Sequence, residues 1–399
     1  MKNLLFLWIL SAFPLHASLL AHVQTTRGTI SVELQHGSAP QTVANFMTLA
    51  LGTRSRVHPL TGAVTSAPLY LGEKFFRTAN SSSFKFAQTG SGSGTNAGGS
   101  GFTFRDEFTP SIRHTGYTLS SANAGPNTNG GGIFFTGNVA IPQYDDVHSI
   151  IGLIPDPASR AVIDAVIGAG DNATTITGIT FDRTDPAAVA FNEYGQNLPT
   201  VEKAGGQMDL LPGSSNIWVL NPLISVGDVF TAFRSTTLSA WTELGSSRLH
   251  VGIGTAGLTP VAINMPLDVP TAPRAFYHLS VARHPGAVAP SHFRNRTVTI
   301  PLSGGILTLA FTSAGSVGTT TYTPTSGSPI VSTLALLDFR SGAHDVFFVA
   351  DNPQLNPRYL RFKLGCDSAT STTVACRHKT EHFNGGWLPF ASGTATITR

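Results

Sequence analysis

From His22 onward, apolar and polar residues alternate in short bursts. Val23, Thr25, Ile30, Val32 and Leu34 fit two strands around a turn at Arg27-Gly28. The next stretch changes period. Ser38 can cap a helix, Val43, Phe46, Met47 and Leu49 to Leu51 share one face, and Gly52 ends it. A second helical face recurs at Ala161, Ile163, Val166 and Ile167. Between the two helices lie short strand-like runs such as "KFFRTANSSSFKFAQTG", "YTLSSANAG" and "HSIIGLI". After Arg183 the helical period disappears, and runs such as "RTVTIPL", "STLALLDF" and "YLRFKL" follow one another between turn signals. The pattern predicts a mainly β protein: two helices among many strands, then β-sandwich or barrel-like accessory domains.

Composition narrows this. Only 12% of the 399 residues are charged, against about 25% in ordinary soluble domains. The formal net charge is +3 and no Lys/Arg run forms a patch, so nucleic-acid binding is not expected. The first residues, "MKNLLFLWILSAFPLHASLLA", carry Lys2 ahead of a short apolar run and small residues at Ala17, Ser18 and Ala21. That is a signal-peptide pattern over 1–21 with its cleavage point left open, and it implies an exported protein, periplasmic or extracellular. No later apolar stretch is long enough to span a bilayer. Two cysteines, Cys366 and Cys376, allow a disulfide closing a small hairpin-like loop; a pair of reduced structural thiols is the alternative.

Three motifs invite chemistry. The Gly/Ser stretch "GSGSGTNAGGSG" lacks the Lys-Ser/Thr of a phosphate loop and opens no helix, so it reads as a surface loop. "HKTEH" at His378 to His382 has zinc-protease spacing, which requires a helix to bring both imidazoles to one face. Its Thr-rich surroundings predict a strand instead. The third motif is "ANAGPNTNGGGIFF", Ala122 to Phe135, a Gly/Asn turn running into buried aromatics.

With "RGTISVEL", "APQTVANF", "FFR", "FRDEF" and "DDVHSIIG" in the same order, this third motif makes residues 22–183 resemble the cyclophilin-type peptidyl-prolyl isomerases. The resemblance implies a closed eight-stranded antiparallel barrel with two helices. It implies isomerisation of X-Pro bonds in proline-containing polypeptides, without a cofactor. Residue by residue, it makes Arg77 the catalytic hydrogen-bond donor and Gln88 the group that steadies it. Phe135, Tyr144 and His148 would line the proline slot, Ala122 and Asn123 would meet the peptide backbone, and either Phe84 or Phe86 would supply the other wall. Phe76 stands where the family usually has His, the Phe-Phe pair comes one residue late, and Gln143-Tyr144-Asp145-Asp146 replaces Trp-Leu-Asp-Gly at the rim. Two functions follow: an isomerase assisting the folding of exported proteins, or a surface protein whose degenerate barrel holds proline peptides with weak turnover. The expected organisation is signal peptide 1–21, isomerase domain 22–185, linker 186–208 and β-rich domains 209–290 and 291–399. The last two are left as a scaffold or as an attachment to an envelope or extracellular partner.

Overall fold

The computed structural model describes residues 19–398, apart from 97–98, 204–206, 211–215, 221–227, 239–240, 249–260, 265–275, 284–287, 291 and 342–343. The first unit is built from β1 (Leu19–Thr25), β2 (Gly28–Leu34), α1 (Pro40–Leu51), the two-residue strands β3 (Arg56–Val57) and β4 (Val64–Thr65), β5 (Arg77–Asn80), β6 (Lys85–Thr89), β7 (Thr118–Ser121), β8 (Ile133–Thr136), β9 (Ile150–Leu153), α2 (Pro157–Ala169) and β10 (Ile176–Arg183). Eight strands form one antiparallel sheet in the order β10-β1-β2-β9-β7-β8-β6-β5. The expected closed barrel is corrected in one respect: β10 and β5 do not pair as strands. The seam is closed by the segment ahead of β5. Ile176 N–H donates to Glu73 O at 2.9 Å and Phe75 N–H to Thr174 O at 3.1 Å. One face of the sheet buries Leu19, Val23, Ile30, Val32, Leu119 and Phe135.

Both predicted helices form, but α1 is not capped by Ser38. Its N-cap is Ala39, which offers no side-chain bond. Glu107 reaches in from the "FRDEF" segment and accepts from Gln41 N–H at 3.1 Å and Thr42 N–H at 2.8 Å. A carboxylate there satisfies orphan donors and faces the positive end of the helix. Gly52 ends α1 at φ 69°, the left-handed conformation glycine adopts freely. In α2, Asp156 caps Ala158 and Ser159.

Two boundaries move. Strand β1 starts at Leu19, and Leu19 and Ala21 are fully buried, so the barrel takes in residues assigned to the signal segment. Residues 1–18, the rest of that segment, lie outside the described residues. The 186–208 stretch is not a free linker. It carries α3 (Pro186–Ala190) and β11 (Thr200–Lys203), and buries Ala188 and Val201 in the core of the first unit.

Residues 207–283 contribute two small sheets. One is β12 (Gln207–Leu210), β13 (Asn216–Leu220) and β16 (Val261–Asn264); the other joins β11 to β17 (Phe276–Arg283), β14 (Val229–Ser235) and β15 (Thr242–Arg248). The C-terminal unit is a closed up-and-down barrel: β18 (Thr297–Leu302), β19 (Gly305–Phe311), β20 (Val317–Pro324), β21 (Ile330–Ser341), β22 (Asp345–Asp351), β23 (Tyr359–Ala369), β24 (Thr373–Phe383) and β25 (Trp387–Thr398). Closure removes every exposed strand edge. Phe348 and Phe362 stack at 4.5 Å in its centre.

Cys366 and Cys376 sit directly opposite each other on β23 and β24, buried. The expected disulfide is absent: both are thiols, with Sγ atoms 3.5 Å apart. The hydrogen bond with Cys376, and then burial, push the Cys366 thiol up, away from the reactive thiolate. "HKTEH" lies in strand β24, with Glu381 ion-paired to Arg361.

The Leu19 boundary is directly testable. Leu19→Ala in the full chain should cost about 2–5 kcal/mol, the usual range for a fully buried leucine. A chain starting at His22 should melt lower than one starting at Leu19 in a thermal scan. Equal melting temperatures would place the start of the barrel after residue 21.

Candidate active site

The site is laid out by sheet register. Arg77 on β5 is paired with Gln88 on β6, and Gln88 with Phe134 on β8. Directly paired residues share a face, so these three form a row across one side of the sheet. Arg77 Nη1 donates to Gln88 Oε1 at a long 3.4 Å, and its guanidinium carbon lies 5.0 Å from the Phe86 ring centre. The Arg77 side chain is otherwise exposed, its donors free to face a ligand.

Phe134 is the centre of an aromatic cluster. Its ring lies 5.2 Å from His148, 5.5 Å from Tyr144 and 6.4 Å from Phe86, all edge to face. These rings wall a groove that also includes Arg77, Gln88, Ala122 and Asn123. Phe84 stands outside that lining, packing on Phe86 at 5.0 Å and Tyr144 at 5.5 Å. The choice between the two phenylalanines thus resolves to Phe86 as wall and Phe84 as its support.

Phe135 is a correction. It is 1% exposed, pairs with Ala87 and packs on Phe75 at 5.8 Å inside the barrel core. Strand alternation puts Ile133 and Phe135 inward and Phe134 outward. The slot residue is therefore Phe134, one position earlier than the sequence reading placed it. No residue is inserted after Gly130: counting Gly130-Gly131-Gly132-Ile133-Phe134 from the Asn-rich turn brings the second aromatic of the motif onto Phe134.

The turn 122–130 is tightly held. Ala122 N–H donates to Gly132 O at 2.9 Å, and Asn123 Nδ2 to Val147 O at 2.7 Å. Asn127 has φ 56°, unusual for a residue with a side chain, and is buried. Its N–H donates to Asp106 Oδ2 at 2.8 Å, while its Oδ1 accepts from Asp106 N–H at 2.8 Å. Asn129 Nδ2 donates to Asp106 Oδ1 at 2.6 Å. Asp106 was visible only as part of "FRDEF"; its role depends on contacts that no local pattern announces. At Gly131 a Cβ would lie 2.5 Å from the Leu69 and Ser100 side chains, so a larger residue would force them to shift. The Gly/Ser stretch read as a surface loop also borders the groove, through Gly90, Ser91 and Ser100.

His148 shares Nδ1 with Ser121 O at 3.1 Å. Burial, reinforced by His114, pushes its pKa down to about 4, so the ring is neutral at physiological pH. His114, not singled out in the sequence, is buried between Asp145 Oδ1 at 2.9 Å and Ser120 Oγ at 3.0 Å. Aromatic rings, the glycine-rich turn and Arg77 make up much of the described lining of the groove. It offers an apolar slot, a planar cation and a rigid turn, which suits binding a twisted amide better than breaking a bond.

Comparison with known proteins agrees. The family profile "Cyclophilin type peptidyl-prolyl cis-trans isomerase/CLD" matches residues 20–171. Peptidyl-prolyl cis-trans isomerase B of Streptomyces anulatus is 39% identical over 158 residues, covering 39% of this chain and 88% of that protein. The chain belongs to the cyclophilin family. A probable peptidyl-prolyl cis-trans isomerase A of Mycobacterium leprae is 36% identical, over 42% of this chain and 88% of that protein. A crystal structure of a cyclophilin-type isomerase from Cryptosporidium parvum aligns with 41% of this chain and 97% of that chain, at 22% identity and a TM-score of 0.34. The cyclophilin unit thus accounts for the first part of the chain, and the β-rich C-terminal region is additional to it.

Two variants separate slot from core. Both rings are buried, so both truncations should lower the melting temperature, Phe135→Ala by about 3–5 kcal/mol of stability. Phe134→Ala should also abolish measurable proline-peptide binding by calorimetry under conditions where it is folded, whereas folded Phe135→Ala should keep it. The reverse pattern would restore Phe135 to the slot.

Proposed function

We propose that the groove rotates X-Pro bonds in exported polypeptides, with the proline ring seated against Phe134 and Arg77 as the donor to the twisted amide. The observation that carries this reading is the row Arg77–Gln88–Phe134, which sets a fixed cation beside an aromatic slot. Rotation about the peptide bond faces a barrier of about 18–20 kcal/mol because planarity is held by resonance. At the twisted geometry resonance is lost, and the nitrogen gains a lone pair that can accept a hydrogen bond. A donor aimed there binds the transition state better than either planar form, which is the requirement for acceleration. Arg77 presents a planar fork of donors. Gln88 orients that fork. Ala122 and Asn123 form the ledge for the peptide backbone; Phe86, Tyr144 and neutral His148 complete the slot. No proton moves and no covalent bond changes.

The export part of the proposal is supported by Lys2, the apolar run after it and the small residues near 17–21. A second reading, a peptide-holding protein with weak turnover, is favoured by the rim: Gln143 is exposed and supplies no aromatic surface beside the slot.

Arg77→Ala tests the proposal. A charge-assisted hydrogen bond is worth roughly 1.5–3 kcal/mol, so kcat/KM should fall roughly 10- to 150-fold in a protease-coupled assay of the full chain. Arg77→Lys should lose most of the activity too, since a point charge does not replace the planar fork. Peptide affinity and the thermal melt should change little. Full activity in a folded Arg77→Ala would remove Arg77 from the mechanism, and peptide binding without turnover in the wild type would favour the second reading.

A further inference from the structure

The groove, about 1280 Å³ in volume, has a second wall that the cyclophilin unit does not supply. That wall is the β24–β25 hairpin of the C-terminal barrel, contributing Lys379, Phe390 and Ser392 among others. The barrel is anchored on the Asn-rich turn itself. Arg377 donates to Asp106 Oδ2 at 2.8 Å and to Asn127 Oδ1 at 2.9 Å. Asn127 Nδ2 donates to His344 O at 3.0 Å, and Lys363 Nζ to Ala124 O at 3.0 Å. Gly365 makes the approach possible: a Cβ there would sit 2.4 Å from Pro126 Cβ. The wall is therefore fixed against the ledge that meets the substrate backbone.

Its charges are unequal in their commitments. The acids lining the groove are Asp106 and Asp146, bound to Arg377 and Arg113 respectively. Arg377 is further held by Asp367 at 2.6 Å. Glu381, near the turn of the hairpin, is bound to Arg361. Lys379 is exposed on the groove side, and its charge is felt at His148 on the slot's rim. Arg77 lines the same groove from the cyclophilin unit. Phe390, 43% exposed, adds apolar surface beyond the slot. With the lining acids already ion-paired, Lys379 and Arg77 leave the groove a net positive field that attracts a carboxylate.

We propose that the β24–β25 hairpin makes this isomerase selective for proline segments that carry an acidic side chain next to the proline, read by Lys379. The inference rests on the isomerase reading of the same groove. Exposed charge pairs are worth little each, so the preference is modest and salt-sensitive.

The test uses the full chain and two pairs of proline peptides, each pair differing only in Glu or Lys on one side of the proline. At low ionic strength, kcat/KM should favour the Glu peptide of at least one pair about two- to fivefold. Lys379→Ala should abolish that preference and Lys379→Glu reverse it, both at unchanged melting temperature. A preference that survives Lys379→Glu, or no preference in the wild type, overturns the proposal. Equal gains for all peptides in Lys379→Glu also overturn it, because the hairpin would then be a cover. Calorimetry reads the same preference in binding, so absent turnover would count against the isomerase reading alone.

Discussion

A single buried carboxylate, Asp106, organises the functional end of the molecule. It receives hydrogen bonds from the Asn127 N–H, from Asn129 Nδ2 and from the Arg377 guanidinium. Burial pushes its carboxyl up from the usual range, and the Arg377 charge and the donated hydrogen bonds work against that. An uncompensated carboxylate at this depth would cost several kcal/mol. The cost ties its partners together: the left-handed Asn127 exchanges hydrogen bonds with Asp106, and Asp106 is satisfied in part from the far barrel.

Two consequences follow for function. Ala122 and Asn123, the proposed ledge, are held in place by the turn's own hydrogen bonds, the pre-organisation that transition-state binding requires. The C-terminal barrel, meanwhile, is locked to the catalytic turn. An enclosed barrel has no edge strands to lend to a partner, but its hairpin surface can extend a neighbour's groove. In the proposed reading the slot supplies affinity for proline and the hairpin supplies contacts to what flanks it.

Much of this was legible in the sequence. The run Ala122–Gly130, the "FFR" triplet and His148 fixed the family, and apolar periodicity found both α1 and α2. The failures have physical causes. Gly130, Gly131 and Gly132 carry no side chains by which to count register, so the motif alone points to Phe135 where the strand presents Phe134, and one residue reverses inside and outside on a strand. Leu19 and Ala21 are apolar for the sake of a barrel core, yet an apolar N-terminus also reads as a leader. The 186–208 stretch is polar enough to look like a linker because only a few residues, Ala188 and Val201 among them, reach the core. The Arg377–Asp106 pair joins residues 271 apart, and neither side chain announces the other.

Hydrogen exchange at the Asn127 amide tests the central claim, that Asp106 braces the turn with help from the second barrel. In the intact chain the Asn127 N–H, buried and bonded to Asp106 Oδ2 at 2.8 Å, should exchange slowly. It should exchange markedly faster in Asp106→Ala and, to a smaller degree, in Arg377→Gln. An unchanged rate in a folded Arg377→Gln would show that the turn stands without the barrel, and would contradict the account.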